Sequence, residues 1–299
     1  MSNKPTVTIG IPAYNEEANI KKLLESLLAQ KQETFELKEI IVVSDGSSDQ
    51  TVELAKSVGN EKVVVVDSKE NKGLGERQNE IVSMFIEGVL VILNADILPE
   101  NLSFIEKLVE PIVKDPSVGL VSGKGTPVKA ESFFESILNY SVQIRDSMAE
   151  AWHGGDNVYN CHGHSRAFSE KFAKEIHWTH SVGEDAFSYL SAKEKGYKFV
   201  YQNDARVLYR SPQNLKDHYK QSIRFANSQQ TIQQLFPSIN VAEEYRIPLN
   251  ILLTHSIKFF IKNPILFVSY IIVQMVRALN PYKVTNSANW EPSQTSKKL

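Results

Sequence analysis

The strongest indication of the fold is one stretch of this chain, Gly88-Val-Leu-Val-Ile-Leu-Asn-Ala-Asp96-Ile-Leu-Pro-Glu100. It starts as a continuous apolar run, which is typical of a central parallel strand buried on both faces. The run ends at the carboxylate of Asp96, and Pro99 is predicted to open a helix. Because ligands of open α/β sheets bind just outside the carboxyl ends of the strands, we expect Asp96 to meet a ligand or a cation. The alternative is that Asp96 only caps the helix.

The size and charge of the chain limit the classes of protein to which it can belong. Its 299 residues, 42% of them hydrophobic, are enough for one large core, or for one core with a smaller appendage. A formal net charge of −2 gives no indication of nucleic-acid binding through a basic surface. The single cysteine, Cys161, excludes an internal disulfide framework and indicates a reducing compartment. The first residues lack an apolar signal segment, so we expect a cytoplasmic protein.

Strands and helices alternate through the first 122 residues. Apolar runs predict strands at residues 7–11, 39–43, 62–67 and 88–96, each followed by a helical pattern. Pro12 is expected to stop the first strand, and Asn15 to cap the first helix. Asp45 ends the second strand, in the same position as Asp96 on the fourth. This alternation indicates parallel βαβ units with right-handed crossovers.

The second half of the chain is less regular. The patterns predict strands at 118–121, around 161–164, at 197–202 and at 205–209, with a turn at 203–204, and helices over 131–150 and 213–236. Glu184 and Asp185 open a further helix, which ends at Gly196. Two acids in a first turn are often only partners of the helix dipole, and that alternative stays open here.

Residues 245–290 have a different composition. They contain no acid, and their charges are Arg246, Lys258, Lys262, Arg277 and Lys283. Residues 249–261 carry an apolar helical stripe, Pro264 interrupts the pattern, and the apolar run over 265–276 is shorter than the roughly 20 residues of a bilayer span. We predict two helices that lie on a membrane interface and are drawn to anionic lipid by the basic residues. Packing on the globular domain, or a homodimer interface, is the alternative.

Six motifs follow one another at the predicted strand ends and helix starts. They are Ile11-Pro-Ala-Tyr-Asn-Glu16, Val43-Ser-Asp-Gly-Ser-Ser-Asp-Gln-Thr51, Asn71-Lys-Gly-Leu-Gly-Glu-Arg-Gln-Asn79, Asn94-Ala-Asp96, Gly183-Glu-Asp185 and Gln221-Ser-Ile-Arg224-Phe225. With these motifs in this order, residues 5–235 resemble a family 2 glycosyltransferase of the GT-A fold. The resemblance implies an α/β fold with a Rossmann-like, mostly parallel sheet flanked by helices, and a C-terminal helical appendage. It also implies a domain over 1–236, with a nucleotide-sugar half (1–122) and an acceptor half (123–236), and a helical segment with a polar tail over 237–299.

The resemblance implies roles for these residues in the inverting transfer of a sugar from a nucleotide-diphosphate sugar, with a uridine nucleotide favoured. By position, the donor would be bound by Pro12, Ala13, Tyr14, Glu16, Asp45, Lys72, Gly73, Arg77, Asn94, Ala95 and Asp96. Asp45 would accept a hydrogen bond from the base, and Asp96 would hold Mg²⁺ or Mn²⁺ on the diphosphate. Asp185 would be the general base that takes the proton of the acceptor hydroxyl. The protein would then work at the inner face of the cell membrane.

The acceptor, a carbohydrate or a lipid-linked sugar, would be bound by His162, Gly163, His164, Glu184, Gln221 and Arg224. Ordinary strand packing is the alternative for the two histidines. Zinc bound by Cys161 and these histidines is disfavoured, because the sequence offers no suitably spaced further ligands. Trp152 and Trp178 would either stack on a sugar ring or lie in the core.

Two departures from the family pattern modify this prediction. Asn94 stands where the family commonly has a carboxylate, which would weaken one contact to the ribose or the metal. Phe225 stands where relatives that elongate polymers commonly have tryptophan, which favours transfer of a single sugar. A sugar-phosphate nucleotidyltransferase is disfavoured because its Gly-rich first turn is replaced by Pro12-Ala-Tyr-Asn15. A non-catalytic sugar-nucleotide-binding or membrane-scaffold protein is the alternative outside the enzymes.

Overall fold

The structure, a computed structural model, describes residues 4–179, 183–279 and 299, without the side chains of residues 223–231. The strands are β1 (Thr6–Ala13), β2 (Glu36–Asp45), β3 (Val63–Ser68), β4 (Val89–Leu93), β5 (Leu98–Pro99), β6 (Val118–Pro127), β7 (Ser165–Phe168) and β8 (Lys198–Tyr209). The helices are α1 (Ile20–Leu28), α2 (Thr51–Lys56), α3 (Leu74–Met84), α4 (Phe104–Lys114), α5 (Phe133–Ala151), α6 (Glu170–Glu175), α7 (Glu184–Glu194), α8 (Leu215–Leu235), α9 (Val241–Glu244), α10 (Leu249–Lys262) and α11 (Pro264–Leu279). Two 3₁₀ turns, His153–Gly155 and Val158–Asn160, precede β7.

All eight strands belong to one sheet with the order β3-β2-β1-β4-β7-β6-β8-β5. The four strands β3, β2, β1 and β4 are parallel, β7 is antiparallel to both β4 and β6, and β8 is parallel to β6. The chain adds β2 and β3 to one side of β1 and then adds β4 to the other side. This change of direction creates a topological switch point between β1 and β4, where open α/β sheets form a ligand crevice.

The strand β4 is buried on both faces, as its apolar run predicted. All five of its residues are buried. Val89, Val91 and Leu93 pack in the core on the α1 and α4 side of the sheet, whereas Leu90 and Ile92 pack on the α3 and α7 side. The sheet therefore separates two cores.

The predicted start of the fold needs two corrections. β1 does not stop at Pro12, because it continues beside β2 to the pair Ala13 and Ser44. Pairing with β4 has already ended at Gly10, so Pro12 lies where the strand has only one neighbour and needs fewer donors. Asn15 is not the cap of α1, which begins at Ile20. Asn15 instead adopts a left-handed conformation (φ +54°), and its side chain accepts a 2.8 Å bond from the Ser48 amide.

The stretch after Asp96 also differs from the prediction. Pro99 does not open a helix, because Leu98 and Pro99 form the short strand β5 antiparallel to β8, and α4 begins at Phe104. A proline is compatible with β5 because this strand is at the edge of the sheet. The segment after Asp96 is thereby fastened to β8, and the amide of Glu100 donates a 3.0 Å bond to the Arg206 carbonyl.

Three predicted strands have different bounds. The strand predicted at 118–121 extends to Pro127, and residues 161–164 are a loop that precedes β7. The two strands predicted around a turn at 203–204 are one strand, β8. Its register with β6 moves from the pair Gly123 and Gln202 to the pair Lys124 and Arg206, so residues 203–205 form a bulge. Polar residues in a bulge resemble a turn in the sequence, which is why the pattern predicts two strands where the structure has one.

The two C-terminal helices pack on α5 through one face. Tyr140, Ile144 and Met148 of α5 form a small buried cluster with Phe259 of α10, and the Tyr140 hydroxyl donates to the Phe259 carbonyl. The prediction of two helices separated at Pro264 is confirmed, as is the alternative that they contact the globular domain. Within the described ranges, no helix combines the length and the apolar character needed to cross a membrane.

Candidate active site

The carboxyl ends of β1, β2 and β4 lie at the same edge of the sheet, at the switch point. Ala13 is paired with Ser44, next to Asp45, and Asn94 directly follows β4. The Asn94 amide donates a 3.1 Å bond to the carbonyl of His164, at the start of β7. The structure therefore brings four of the predicted segments to one edge: 12–14, 44–46, 94–96 and 162–164.

Asp45 is completely buried, and its carboxylate is fixed by three donors. Its oxygens accept bonds from the amide of Lys72 at 2.8 Å, the amide of Gly73 at 3.0 Å and Nε of Arg77 at 2.7 Å. Gly73 adopts φ +90°, a conformation that side-chain-bearing residues rarely adopt, and this turn aims both amides at the carboxylate. Asp45 therefore holds the loop that leads into α3.

The two cations predicted to meet the donor are in different environments. Arg77 is 3% exposed, and it also donates to Ser68 and Glu80 side chains and to the Glu70 carbonyl. Its guanidinium therefore lies beneath the edge and is engaged with protein groups. The Lys72 side chain is 53% exposed, and its Nζ is 3.6 Å from Glu70. Lys72 is thus the cation of this loop that a diphosphate can reach from solvent.

The other predicted donor residues lie along the same edge with different exposure. Pro12, Ala13 and Ala95 are buried, and Tyr14 is partly exposed. Glu16 is 2% exposed, and its amide donates a 2.7 Å bond to the Thr51 hydroxyl. Tyr14 is thus the side chain among these that reaches the surface beside the switch point.

Asp96 is partly exposed and lies three residues beyond the end of β4. Among the described residues, no three His, Cys, Asp or Glu side chains come together in a way that would hold a metal ion. Asp96, the predicted metal ligand, is therefore not part of a cluster of such side chains in the described part of the chain. The amide oxygen of Asn94, like the carboxylate of Asp96, is a hard oxygen donor.

The first turn of α7 reaches the same edge through Gly163. A Cβ atom built on Gly163 would lie 2.8 Å from Oε1 of Glu184 and 3.9 Å from Nδ2 of Asn94. The structure thus brings three predicted segments close together: 94–96, 162–164 and 183–185. Gly183 before the helix has φ +70°, which turns the chain into α7.

Asp185 has an environment that suits a base. Its Oδ1 accepts a 2.7 Å bond from the Ala186 amide. Burial raises the pKa of Asp185 above its ordinary value, and the positive charge of Arg166 opposes that shift. A carboxylate with a raised pKa holds a proton more strongly, which makes it a better general base.

Arg166 was not predicted, although it is central to this region. It is completely buried in β7, and its Nη1 donates to the Glu184 carbonyl at 2.8 Å and to the Ser188 hydroxyl at 2.7 Å. The Trp178 indole donates to the same carbonyl at 3.2 Å. The signal in the sequence was an arginine in the middle of an otherwise uncharged strand.

The two predicted acceptor histidines form part of an aromatic cluster. The ring of His164 stacks on Tyr209 at 4.3 Å, and His162 packs edge-on to Tyr201 at 6.0 Å. Burial lowers the pKa of both histidines to about 3, so both are neutral at pH 7. Cys161 donates to the Asp185 carbonyl at 3.2 Å.

The remaining predicted residues are two tryptophans of the core and two residues of α8. Trp152 and Trp178 are 4% and 2% exposed and belong to the core. Gln221 is exposed on α8, and the side chain of Arg224 lies outside the described residues.

The sequence matches a known family. The profile described as Glycosyl transferase family 2 matches residues 8–176, more than half of the chain. The poly-beta-1,6-N-acetyl-D-glucosamine synthase of Staphylococcus aureus (strain COL) is 26% identical over 258 residues, which are 84% of this chain and 61% of that protein. The O-antigen chain rhamnosyltransferase RfbN of Salmonella typhimurium is 26% identical over 208 residues, 67% of this chain and 65% of that protein. The chain thus spans less than two thirds of the length of these relatives.

Two solved structures resemble the fold. The mannosyltransferase PcManGT of Pyrobaculum calidifontis, in complex with GDP-Man and Mn²⁺, has a TM-score of 0.58 and 22% identity, covering 94% of this chain and 77% of that one. Glucosyl-3-phosphoglycerate synthase of Mycobacterium tuberculosis, in complex with Mn²⁺, UDP and phosphoglyceric acid, has a TM-score of 0.54 and 18% identity, covering 75% and 77%. From the profile match, the relatives and the shared sheet, we conclude that this chain belongs to glycosyl transferase family 2 and has the GT-A fold.

Proposed function

We propose that this protein is an inverting, metal-dependent glycosyltransferase that moves a sugar from a nucleotide-diphosphate sugar, with UDP favoured, to an acceptor hydroxyl. The family and both relatives support glycosyl transfer. The neighbours in complex with a nucleotide or nucleotide sugar and Mn²⁺ support the donor class and the metal. The observation that carries the proposal is the meeting of β1, β2, β4 and the first turn of α7 at the switch point.

On the donor side, Asp45 and the loop it fixes would shape the nucleoside site, and Tyr14 would border it. Lys72 would neutralise part of the diphosphate charge, since its amine is exposed at the same edge. Asp96, with Asn94 beside it, would hold Mg²⁺ or Mn²⁺. A bound divalent cation would stabilise the negative charge of the departing nucleoside diphosphate.

On the acceptor side, Asp185 would accept the proton of the attacking hydroxyl. The hydroxyl oxygen forms a bond to the anomeric carbon, the bond from that carbon to the diphosphate breaks on the opposite face, and the configuration inverts. His162, His164 and Glu184 would orient the acceptor, with Gln221 and Arg224 contributing from α8. The two histidines would act as neutral hydrogen-bonding groups, because burial lowers their pKa values.

The direct test is Asp185→Asn, with Asp204→Asn as the control on an exposed residue of β8. We expect Asp185→Asn to lower the transfer rate by about 10²–10⁴-fold, because the amide cannot take the proton. Thermal stabilisation by UDP and Mn²⁺ should stay within a few tenths of a degree of wild type, because the donor site is intact. Transfer at the wild-type rate by Asp185→Asn would remove this residue from the role of base.

We further propose that α10 and α11 bind an anionic membrane surface and that the acceptor is lipid-linked. Their outward side, called here the apolar face, consists of Leu249, Leu252, Leu253, Ile257, Phe260, Ile261, Ile265, Val268, Ile271, Ile272, Met275 and Leu279, all exposed. An exposed apolar surface of this extent marks an interaction site. Lys258, Lys262 and Arg277 are exposed on the same helices, which carry no acid. A second copy would bring these like charges together, whereas anionic lipid would pair with them.

The membrane proposal is tested with vesicles of phosphatidylcholine and phosphatidylglycerol. The double substitution Ile257→Glu and Ile261→Glu should weaken cosedimentation at least tenfold and leave folding unchanged, because both side chains point away from α5. Ile86→Glu, at another exposed apolar residue, is the matched control and should bind like wild type. Equal binding of the double variant and wild type would refute the proposal. Loss of a concentration-dependent dimer in the double variant would favour the homodimer instead.

The proposal also includes three further points: the chain divides into two domains at residue 236, the protein lies in the cytoplasm at the inner face of the membrane, and it transfers a single sugar.

A further inference from the structure

We propose that Arg166 is a positioning residue that fixes the first turn of α7 and thereby holds Asp185 in place for proton transfer. This inference rests on the proposed function, since it assigns Asp185 the role of base. Arg166 itself lies inside the sheet, completely buried, and would not touch the substrate.

The Glu184 carbonyl is where Arg166 contacts the first turn of α7. This oxygen accepts bonds from three side chains: Nη1 of Arg166 at 2.8 Å, the Ser188 hydroxyl at 2.6 Å and the Trp178 indole at 3.2 Å. A carbonyl in the first turn of a helix ordinarily serves the amide four residues later. Three side-chain donors on one oxygen fix the position of the peptide that joins Glu184 to Asp185.

The donors are themselves anchored to separate elements. Arg166 is on β7, between β4 and β6, where it pairs with Ile92 and Ser122. Trp178 is tied to α3, because the Asn79 side chain accepts a 2.9 Å bond from the Trp178 amide and donates a 2.8 Å bond to its carbonyl. The first turn of α7 is thus held by the sheet on one side and, through Trp178, by α3 on the other.

The Arg166 guanidinium is a buried charge with hydrogen-bond donors left unused by the described residues. Its Nε and Nη2 atoms are buried and have no hydrogen-bond partner in the part of the chain that the structure describes. A buried cation with unused donors is costly on its own, so its charge has to be compensated nearby. The Phe168 ring lies 5.8 Å from the guanidinium, within the range of a cation–π contact. The positive charge also favours the ionised form of Asp185, so Arg166 acts on the carboxylate of the proposed base as well as on the peptide that carries it.

The test compares Arg166→Met, Arg166→Lys and the control Arg206→Met, which makes the same change at a partly buried arginine of β8. We expect Arg166→Met to fold with a lower melting temperature, because the Glu184 carbonyl and the Ser188 hydroxyl lose a buried donor. Its kcat for transfer should fall by about 100-fold, the loss typical of a displacement of about 1 Å in a catalytic group. The KM for the nucleotide sugar should change less than about threefold, because the three hydrogen bonds that join Asp45 to its loop and to Arg77 do not involve Arg166. Arg166→Lys should recover at least tenfold of the lost kcat, since a lysine can donate to the Glu184 carbonyl.

A second measurement does not depend on activity. Amide hydrogen exchange of residues 184–188 should be faster in Arg166→Met than in wild type, because the first turn of α7 loses an anchor. A kcat within threefold of wild type in Arg166→Met, or unchanged exchange in this turn, would overturn the inference. Unaltered transfer by Asp185→Asn would instead refute the base, and then faster exchange in Arg166→Met would still establish the anchoring. If Arg166→Met does not fold, Ser188→Ala, which removes one partner of the same guanidinium, should show the same changes at smaller size.

Discussion

The two proposed halves of the site differ in how their buried polar atoms are paired: a donor edge (residues 12–16, 44–46, 71–77 and 94–96) and an acceptor wall (residues 160–166 and the first turn of α7). At the donor edge, the buried carboxylate of Asp45 accepts three hydrogen bonds from its own loop and from Arg77. In the acceptor wall, several buried polar atoms have no hydrogen-bond partner among the described residues: Nδ1 of His164, Oγ of Ser165, Nε and Nη2 of Arg166 and Oδ1 of Asn160. Most buried polar groups in proteins are paired, so this concentration is unusual.

This difference indicates that internal bonds order the proposed donor edge more fully than the proposed acceptor wall. The three bonds to Asp45 fix the loop over residues 71–77, so nucleotide binding would have little left to order in that loop. In the proposed acceptor wall, ordered water would satisfy such buried polar atoms. We therefore expect substitutions at the donor edge to act mainly on folding stability, and substitutions in the acceptor wall to act mainly on turnover and on pH dependence.

The largest expected effect is that of Asp45→Asn. This change removes the buried one of the two carboxylates paired with Arg77, the other being the more exposed Glu80, and breaking a buried pair typically costs about 3–5 kcal/mol of unfolding free energy. Asp67→Asn is the control, because Asp67 pairs with Lys69 at the surface, where an ion pair contributes about 1 kcal/mol or less. Urea unfolding of the two variants measures both values. Equal, small losses would show that the donor edge is not held by this pair.

A smaller effect is expected from acid. In the unfolded chain a histidine binds a proton below about pH 6.5, whereas the folded-state pKa of His164 is about 3, so the unfolded state binds more protons between these values. Stability is therefore lost as pH falls from 6.5 toward 3, by roughly 1.4 kcal/mol per pH unit for one such histidine. The variant His164→Phe should unfold with a pH slope smaller by about that amount between pH 6 and 5. Identical pH slopes for the variant and the wild type would show that His164 takes up its proton in the folded protein as it does in the unfolded chain.

The smallest expected effect is that of Gly163→Ala. The new methyl group would lie 2.8 Å from the Glu184 carboxylate, which can move because it ends a flexible side chain. We expect a loss of about 1 kcal/mol or less in stability, at the low end for overpacking, and a rise of several-fold in the KM for the acceptor. The KM for the nucleotide sugar should be unchanged. A change confined to the donor KM would show that Gly163 belongs to the other half of the site.

The donor half was readable from the sequence because its signals are local. A strand buried on both faces, such as β4, is a run of apolar residues, and the acid that follows it is adjacent in the chain. The errors at Pro12 and Pro99 arose because a proline's place in a sheet depends on which neighbouring strands remain paired there. That information is tertiary and does not appear in the local pattern.

The acceptor half was less readable because its contacts join distant segments. The role of Arg166 depends on the Glu184 carbonyl, 18 residues later, and that of Asn79 depends on Trp178, 99 residues later. Periodicity identified α7 and its two opening acids, and it could not identify the side chains that hold them. The exposed side of α10 and α11 was anticipated from composition, whereas their contact with α5 required the structure.

The bulge at residues 203–205 limits which insertions and deletions this part of β8 can accept. Strand β5, which fastens the segment directly after Asp96, pairs with β8 just beyond that bulge, at Val207 and Leu208. Deleting one residue from the bulge would shift the partners of β5 by one position and turn inward-facing side chains outward. The bulge thus determines where the segment after Asp96 is fastened, and relatives of this protein should tolerate exchanges of residue type there much better than insertions or deletions.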